Sequence, residues 1–266
     1  MKTAVIVTTF NRPACLARSL PQIVAAAREV GAPVLVVDDG SEMTEEVPIN
    51  GHFSGLAIRQ PRIGLGATWI WLPENRGLAG ALNIGLSYWL ADPSIQAISY
   101  FQDDVEVDPL CIAACNEAIQ QMGPADFERG MVVTGHDAKE HRERWQLERY
   151  FGSSFSGIDM FKRGSCRATH MHAHIDAWKK VLPIPSRGLG LPGTRIMDGK
   201  RGTGSGVDWW IVRDSPNRLP VLCIPGLVRS FAHKAQDSTW LNESIGGEEP
   251  PLSREAIKGW VEARGK

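Results

Sequence analysis

The sequence predicts an α/β fold with a mostly parallel central sheet flanked by helices. Along the first half, apolar runs rich in β-branched residues alternate with segments of helical spacing. The runs are continuously apolar, as expected for strands that helices cover on both faces. Strands that alternate with helices in this way are typical of a parallel sheet.

Four strands and two helices are predicted in order. The first strand is TAVIVTTF, which ends at the turn Asn11-Arg12-Pro13, and the first helix is PACLARSLPQIVAAAREVG, which ends at Gly31. APVLVVDDGS, TWIWLPENRG and IQAISYFQDD are predicted as the next three strands. The segment LAGALNIGLSYWLADP carries apolar residues on one side and predicts a helix that stops near Pro93.

The second half is less regular. RATHMHAHIDAWKKVLPIP predicts a strand and a short helix, LPVLCIPGLVRSFAHK predicts a pair of strands, and SREAIKGWVEARGK predicts a final helix. Residues 186–206 contain seven glycines and predict a mobile loop. With no internal repeat or linker, we expect a single domain with two halves, residues 1–110 and 111–266.

Composition argues against two classes of protein. No apolar stretch in the 266 residues approaches the roughly 20 residues of a membrane span, and the start reads as a strand rather than a signal peptide. Five cysteines without a C-x-x-C pair argue against a disulfide framework and a zinc knuckle. We therefore expect reduced cysteines and a cytoplasmic protein, with a peripheral location at the membrane as the alternative.

Charge is distributed unevenly. Residues 1–138 hold 8 Lys/Arg and 16 Asp/Glu, whereas residues 139–234 hold 17 and 8. The basic block predicts an anionic partner, although the two blocks could equally neutralise each other across an interface.

Polar clusters follow three of the predicted strands. They are Asp38-Asp39, Glu74-Asn75 and residues 102–104. Ligands of parallel α/β sheets bind at the carboxyl ends of the strands, so these clusters predict a ligand site at one edge.

Four segments in this order, VIVTTFNRP, VLVVDDGS, LPENRGLAGALNIGL and YFQDDVEVDP, resemble the nucleotide-sugar half of family 2 glycosyltransferases with the GT-A fold. GSGVDWWIVRDS and RSFAHKAQDSTW resemble the acceptor side of that family less closely. The resemblance implies a Rossmann-like nucleotide-binding half and an acceptor-binding half. It also implies inverting transfer from a nucleoside diphosphate sugar, with UDP as the expected nucleotide and Mn²⁺ or Mg²⁺ as the cofactor.

The resemblance assigns the donor site residue by residue. Asp38 would accept a hydrogen bond from the nucleobase, because a carboxylate suits the imide N–H of uracil or thymine, or the donor edge of guanine. The start of the second helix would approach the phosphates. The other residues implied in donor binding are Thr8, Phe10, Asp39, Asn75, Gly77, Gly80, Gln102 and Asp103.

The triplet Gln102-Asp103-Asp104 matches the metal-binding D-x-D signature with an amide in the first place. The match implies that Asp104 binds the metal and that Asp103 lies nearer the ribose or sugar. With one acid missing, His233 is implied as a second ligand. Glu106 and Asp108 are expected in the turn that follows.

The proton acceptor implied by the resemblance is Asp208, because only the Asp of the family's Glu-Asp pair is present and Val207 stands in place of the Glu. Trp209 and Trp210 would form an apolar, sugar-stacking wall that raises its pKa. Asp214 is the second choice.

His170, His172 and His174 alternate and share one face of a predicted strand. Side chains along one strand rarely converge on one ion, so a zinc site is less favoured than a structural or acceptor-lining role.

The acceptor remains open between a cell-envelope glycan or lipid-linked precursor and DNA. Trp145, Trp178, Trp209 and Trp210 within the basic block would suit a phage-type transferase acting on hydroxymethylated pyrimidines in DNA.

A non-catalytic sugar-nucleotide-binding protein is an alternative of another class. A nucleotidyltransferase is disfavoured, since TTFNRPACL lacks a glycine-rich basic loop.

Overall fold

A computed structural model describes residues 1–41, 66–136, 148–155, 158–163, 169–185 and 207–230. Ten strands lie in these ranges. They are β1 Thr3–Thr9, β2 Val34–Asp38, β3 Ala67–Trp71, β4 Ala97–Gln102, β5 Val105–Val107, β6 Val132–His136, β7 Glu148–Phe155, β8 Ile158–Arg163, β9 His170–His174 and β10 Val221–Ser230. The helices are α1 Pro13–Glu29, α2 Gly77–Leu90, α3 Cys111–Gln120, α4 Pro124–Arg129, α5 Ile175–Val181 and α6 Val207–Trp209, which continues as a π-helical turn Trp210–Asp214.

Seven strands form the centre of one sheet in the order β3-β2-β1-β4-β9-β6-β10. β1 is parallel to β2 and β4, and β2 is parallel to β3. β9 is antiparallel to β4 and to β6, and β6 is parallel to β10. Six of the seven strands therefore point the same way, and the mostly parallel α/β sheet expected from the sequence is confirmed.

The sheet is covered on both faces, which explains why its strands are continuously apolar. On one face, Leu20 of α1 and Ile112 of α3 pack in a core with Val7 and Phe101. On the other face, Leu82 and Leu86 of α2, Trp178 of α5 and Trp210 share a core with Ile6 and Tyr100. Alternate residues of β1 therefore point to opposite cores.

Two short antiparallel additions complete the sheet. β8 pairs with β10, and β7 pairs with β8. β5 pairs with the last part of β10, so that Ser230 lies opposite Val105. This pairing brings the end of β10 beside the turn that follows β4.

The structure revises the second half. LPVLCIPGLVRS forms one strand, β10, rather than a pair of strands, because Pro225-Gly226 lies at a shift of register and not in a hairpin turn. β5, α3, α4, β6, β7 and β8 have no counterpart in the sequence-based prediction. The glycine-rich residues 186–206 and the expected final helix lie outside the described residues.

The described residues include four of the cysteines and all of the helices named above. Cys15, Cys111, Cys115 and Cys223 are free thiols in this part of the chain. No helix within the described ranges has the length and apolar character that crossing a membrane requires.

Candidate active site

The carboxyl ends of β1, β2 and β4 lie side by side, since Thr9 pairs with Asp38 and Thr8 pairs with Gln102. Their polar clusters meet at one edge of the sheet. This is the position at which parallel α/β sheets bind ligands.

Asp38 is buried at this edge and has one oxygen without a protein partner. Its Oδ1 accepts a hydrogen bond from the Ser41 amide at 2.8 Å, while the enclosed Oδ2 has none. The Ser41 hydroxyl in turn accepts from the Asn11 amide at 2.8 Å, which ties the loop after β2 to the loop after β1. Asn11 adopts a positive φ of 48° in that turn, as asparagine does more readily than most residues.

Trp71 is a residue of this edge that sequence reasoning missed. It is the register partner of Asp38, and its ring stacks on Trp69 with centroids 5.9 Å apart. Register partners on neighbouring strands point to the same face, so the indole lies on the Asp38 side of the sheet. The available signal was its place in the apolar run TWIW at the start of the third predicted strand.

Asp103 and Asp104 both form salt bridges with the side chain of Arg12, a contact that the sequence did not suggest. Arg12 lies between β1 and α1, with Nη1 3.0 Å from Asp103 Oδ1 and Nη2 2.9 Å from Asp104 Oδ2. Burial lowers the Arg12 pKa, but the two carboxylates outweigh burial and hold that pKa above its ordinary value. Burial raises the pKa of Asp103 to about 7, against the opposing effect of Arg12.

Thr9, rather than Thr8, faces this cluster. The Thr9 hydroxyl donates to Asp103 Oδ2 at 2.7 Å, whereas Thr8 points to the opposite face and lies 3.0 Å from the Tyr100 hydroxyl. Gln102 also hydrogen-bonds Tyr100, whose pKa burial raises. Thr8 thus faces away from the Asp103 cluster, and its expected contact with the donor stays a prediction. The Gln102 side chain is held by Tyr100.

The start of α2 is capped by the chain's own side chains. The Arg76 amide donates to Asp39 Oδ1 and the Gly77 amide to Asn75 Oδ1, both at 2.7 Å. A phosphate would have to displace these carboxylate and amide groups. Gly80 serves packing, since a Cβ there would lie 2.6 Å from the Cβ of Arg76. Asp39, Asn75, Gly77 and Gly80 thus shape the edge of the site, and their expected contact with donor phosphates stays a prediction.

The Asp39 carboxyl is enclosed together with this helix start. Burial raises its pKa to about 7, although the amide hydrogen bonds from Arg76 and Gly77 favour the charged form. Gly40 allows the close approach of the two loops, because a Cβ there would lie 2.6 Å from the Glu74 carbonyl carbon.

The Asp104 carboxylate has an oxygen that could bind a divalent cation. Its Oδ1 is enclosed and without a hydrogen-bond partner, and a carboxylate oxygen is a preferred ligand of Mg²⁺ and Mn²⁺. The implied second ligand, His233, lies outside the described residues. It follows by three positions Ser230, which pairs with Val105 directly after Asp104.

Glu106 and Asp108 do not share the turn expected for them. Glu106 lies in β5 and pairs with Arg18 of α1. Asp108 does form a turn, where its Oδ1 accepts the Leu110 amide at 2.8 Å just before α3.

A family comparison agrees with this arrangement. Residues 4–175, more than half of the chain, match the family model described as Glycosyl transferase family 2. The chain belongs to glycosyl transferase family 2. The GT-A fold expected from the sequence resemblance is thereby confirmed, with the four matching segments inside the matched region.

One solved structure with a TM-score above 0.5 has a similar fold. The chain is similar to S. aureus TarS 1-349, with a TM-score of 0.51 and 14% identity over 86% of this chain and 60% of that one. It thus spans less than two thirds of the TarS chain. The mannosyltransferase PcManGT from Pyrobaculum calidifontis, in complex with GDP-Man and Mn²⁺, has a TM-score of 0.48 and 15% identity over 73% of this chain and 49% of that one. No curated protein matches the chain.

The family's acceptor side is partly described. Asp208 is half-buried in α6, directly after the buried Val207. Trp210 is a core residue whose indole N–H donates to the Val181 carbonyl at 3.1 Å, so it cannot stack on a sugar. Trp178 is likewise enclosed and bonded to the Ile98 carbonyl. Neither side chain can stack on nucleic acid, and Trp145 lies outside the described residues.

The three histidines of β9 have structural positions. His170 and His172 are fully buried, which rules out an acceptor-lining role for both, and His174 caps α5 by accepting the Asp176 amide at 3.3 Å. His170 approaches Cys111 and Cys115 closely enough to resemble a metal-ligand cluster.

The hydrogen bonds of His170 argue against that metal cluster. Its Nδ1 accepts the Gly135 amide at 2.9 Å, so the neutral ring carries its proton on Nε2. Nε2 is the nitrogen that lies 3.9 Å from the Cys111 sulfur. A protonated nitrogen cannot bind a metal, so the trio is part of the core.

Proposed function

We propose that the protein is a metal-dependent, inverting glycosyltransferase that moves a sugar from a nucleoside diphosphate sugar to a hydroxyl of an anionic acceptor. The observation that carries the proposal is the pair of enclosed, unpartnered oxygens, Asp38 Oδ2 and Asp104 Oδ1, at one edge of the sheet. They belong to the two residues that the family resemblance assigns to the nucleobase and the metal. An enclosed oxygen without a partner costs about 1–3 kcal/mol, and a ligand that binds it removes that cost.

The hydrogen bonding of Asp38 favours a uracil or thymine nucleotide. Guanine offers two neighbouring donors that would use both carboxylate oxygens, and Oδ1 would then have to accept a second hydrogen bond beside that from the Ser41 amide. The single imide N–H of uracil matches the one unpaired oxygen. Trp71, on the same face, would offer a stacking surface to that base.

Asp104, together with His233, would hold Mn²⁺ or Mg²⁺. The ion held there would supply positive charge that stabilises the leaving nucleoside diphosphate. Thr9 and Arg12 hold Asp103 in a fixed position beside Asp104, where it would orient the ribose or sugar of the donor.

Asp208 would act as the base. The acceptor oxygen attacks the anomeric carbon from the face opposite the phosphate, its proton passes to the Asp208 carboxylate, and the bond from the anomeric carbon to the diphosphate oxygen breaks. The nucleoside diphosphate leaves with that electron pair. Asp214 remains the second choice for this role.

The acceptor is proposed from charge. Residues 139–234 carry 17 Lys/Arg and 8 Asp/Glu, which favours an anionic glycan or a lipid-linked precursor, and residues 111–266 would form the acceptor half. The DNA alternative loses support, because Trp178 and Trp210 are core residues.

Release of UDP from UDP-sugars in the presence of Mn²⁺ tests the proposal. Such release separates an enzyme from a non-catalytic sugar-nucleotide-binding protein. We expect slow hydrolysis by the wild type and a loss of about 100-fold or more in Asp104→Asn, since the cation supplies several kcal/mol at the leaving group. Glu106→Gln is the matched control, because this acid pairs with Arg18 on the surface. Equal rates for Asp104→Asn and Glu106→Gln would overturn the metal assignment.

A further inference from the structure

Arg12 already supplies positive charge to the proposed metal site. Its guanidinium contacts both acids, and its side chain is only 15% exposed. The contact spans more than 90 positions of the chain. Arg12 is held there by the turn after β1, in which Pro13 begins α1.

A divalent cation on Asp104 would meet this guanidinium. Arg12 occupies Oδ2 of Asp104, and Oδ1 of the same carboxylate is the oxygen without a partner. Two cations on one carboxylate lie within a few ångströms, where like charges repel strongly and are poorly screened by salt. Arg12 and the metal therefore compete for Asp104.

The donor's diphosphate offers Arg12 another partner. At the start of α2, the Arg76 and Gly77 amides already donate to Asp39 and Asn75, so these two amides offer phosphate no unpaired donor. A guanidinium binds phosphate through two parallel N–H groups. The Arg12 Nε has no partner in its present position, so an exchange to phosphate would satisfy a donor that is now unpaired.

We propose that Arg12 neutralises Asp104 while no metal is bound, and that its guanidinium moves to the donor diphosphate when the metal binds. This inference rests on the proposed function. Without donor, the guanidinium weakens metal binding. With donor, it releases Asp104 and neutralises phosphate charge. Metal binding is thereby coupled to the presence of the donor.

Equilibrium dialysis of Mn²⁺ against the full chain, with and without UDP, tests this inference. Without UDP, Arg12→Met should bind Mn²⁺ about tenfold more tightly than the wild type, the effect of removing one like charge at close range. UDP should raise the Mn²⁺ affinity of the wild type more than that of Arg12→Met. Arg12→Lys keeps the positive charge but loses the two parallel N–H groups of the guanidinium. Its Mn²⁺ affinity without UDP should lie between those of the wild type and Arg12→Met.

Arg18→Met is the matched control, because Arg18 lies in the first turns of α1, close to Arg12 in the chain, but pairs with Glu106. Its Mn²⁺ affinity should stay within about twofold of the wild type, as expected for a surface ion pair. If Arg12→Met or, should that variant not fold, Arg12→Lys binds Mn²⁺ no more tightly than the wild type without UDP, the inference is wrong. The proposed function then still stands if UDP promotes Mn²⁺ binding to the wild type. If no protein binds Mn²⁺ with or without UDP, the proposed metal site is wrong as well.

Discussion

Buried polar atoms without hydrogen-bond partners occur both at the carboxyl edge of the sheet and in its interior, and they have different consequences in the two places. Asp38 Oδ2 and Asp104 Oδ1 lie at the carboxyl edge, the position at which parallel α/β sheets bind ligands. His172 also has two enclosed ring nitrogens without partners, but it lies inside the sheet between Ser99 of β4 and Val133 of β6. The carboxylates therefore indicate binding, whereas the imidazole is a cost to stability.

Replacing His172 with leucine should stabilise the protein. The change removes two buried polar atoms that lack partners and adds little volume, so we expect the free energy of unfolding at pH 7 to rise by about 1 kcal/mol. Urea denaturation measures it. The control, His170→Leu, should instead lose about 1–3 kcal/mol, because it leaves the buried Gly135 amide unpaired.

The wild type and His172→Leu should also differ in how their stability depends on pH below 6.5. Burial lowers the pKa of His172 to about 3, whereas in the unfolded chain the pKa is about 6.5. Between these values the unfolded state binds the proton and the native state does not, so stability falls as pH falls from 6.5. By pH 5 the wild type should lose about 2 kcal/mol that His172→Leu retains. Parallel pH curves would contradict the burial of a neutral ring.

The start of α2 is the element on which the shape of the donor edge depends. Asp39 and Asn75 cap its first amides, and Gly40 lets the loop after β2 lie against Glu74. These caps are local features, yet they join two strands that are 29 residues apart in the chain. The helix start is fixed before any ligand binds.

Asp39→Asn should change how stability depends on pH. Burial raises the pKa of Asp39 to about 7 in the folded protein, so between pH 4 and 7 the native state binds more protons than the unfolded state. Stability from this group is present at low pH and is lost as pH rises through 7. From pH 5 to pH 8, the wild type should lose about 2 kcal/mol relative to Asp39→Asn, measured by urea denaturation.

Two comparisons sharpen that test. Asp103 also has a pKa of about 7, but it is present in both proteins and cancels in the difference. Asp39→Ala should be less stable than Asp39→Asn by about 1 kcal/mol at every pH, because it removes the cap and neither variant has the carboxyl. A pH dependence shared by Asp39→Asn and the wild type would show that Asp39 is charged in the fold.

At the scale of the molecule, local patterns predicted most elements of residues 1–110 well. β1 to β4, α1 and α2 were predicted because each is long and either continuously apolar or helically spaced. β5 could not be, since three residues form a strand there only through pairing with β10. Pro225-Gly226 resembled a hairpin turn in sequence, but tertiary pairing makes it a shift of register.

The site was predicted less completely than the fold. Asp38 and Asp104 followed from motifs, and the edge on which they lie followed from strand order. The choice of Thr9 over Thr8 depends on which face each side chain takes, and the pairing of Arg12 with Asp103 and Asp104 is a contact between distant segments. No local pattern encodes either.

The most direct test of the donor site is a thermal-shift panel of UDP, dTDP, GDP and CMP, each with and without Mn²⁺. We expect UDP or dTDP to raise Tm with Mn²⁺ by several degrees, with a much smaller shift in its absence, and we expect Asp104→Ala to lose the metal-dependent part. A panel in which no nucleotide shifts Tm would contradict the donor site. A metal-dependent shift that survives unchanged in Asp104→Ala would contradict the role given to Asp104.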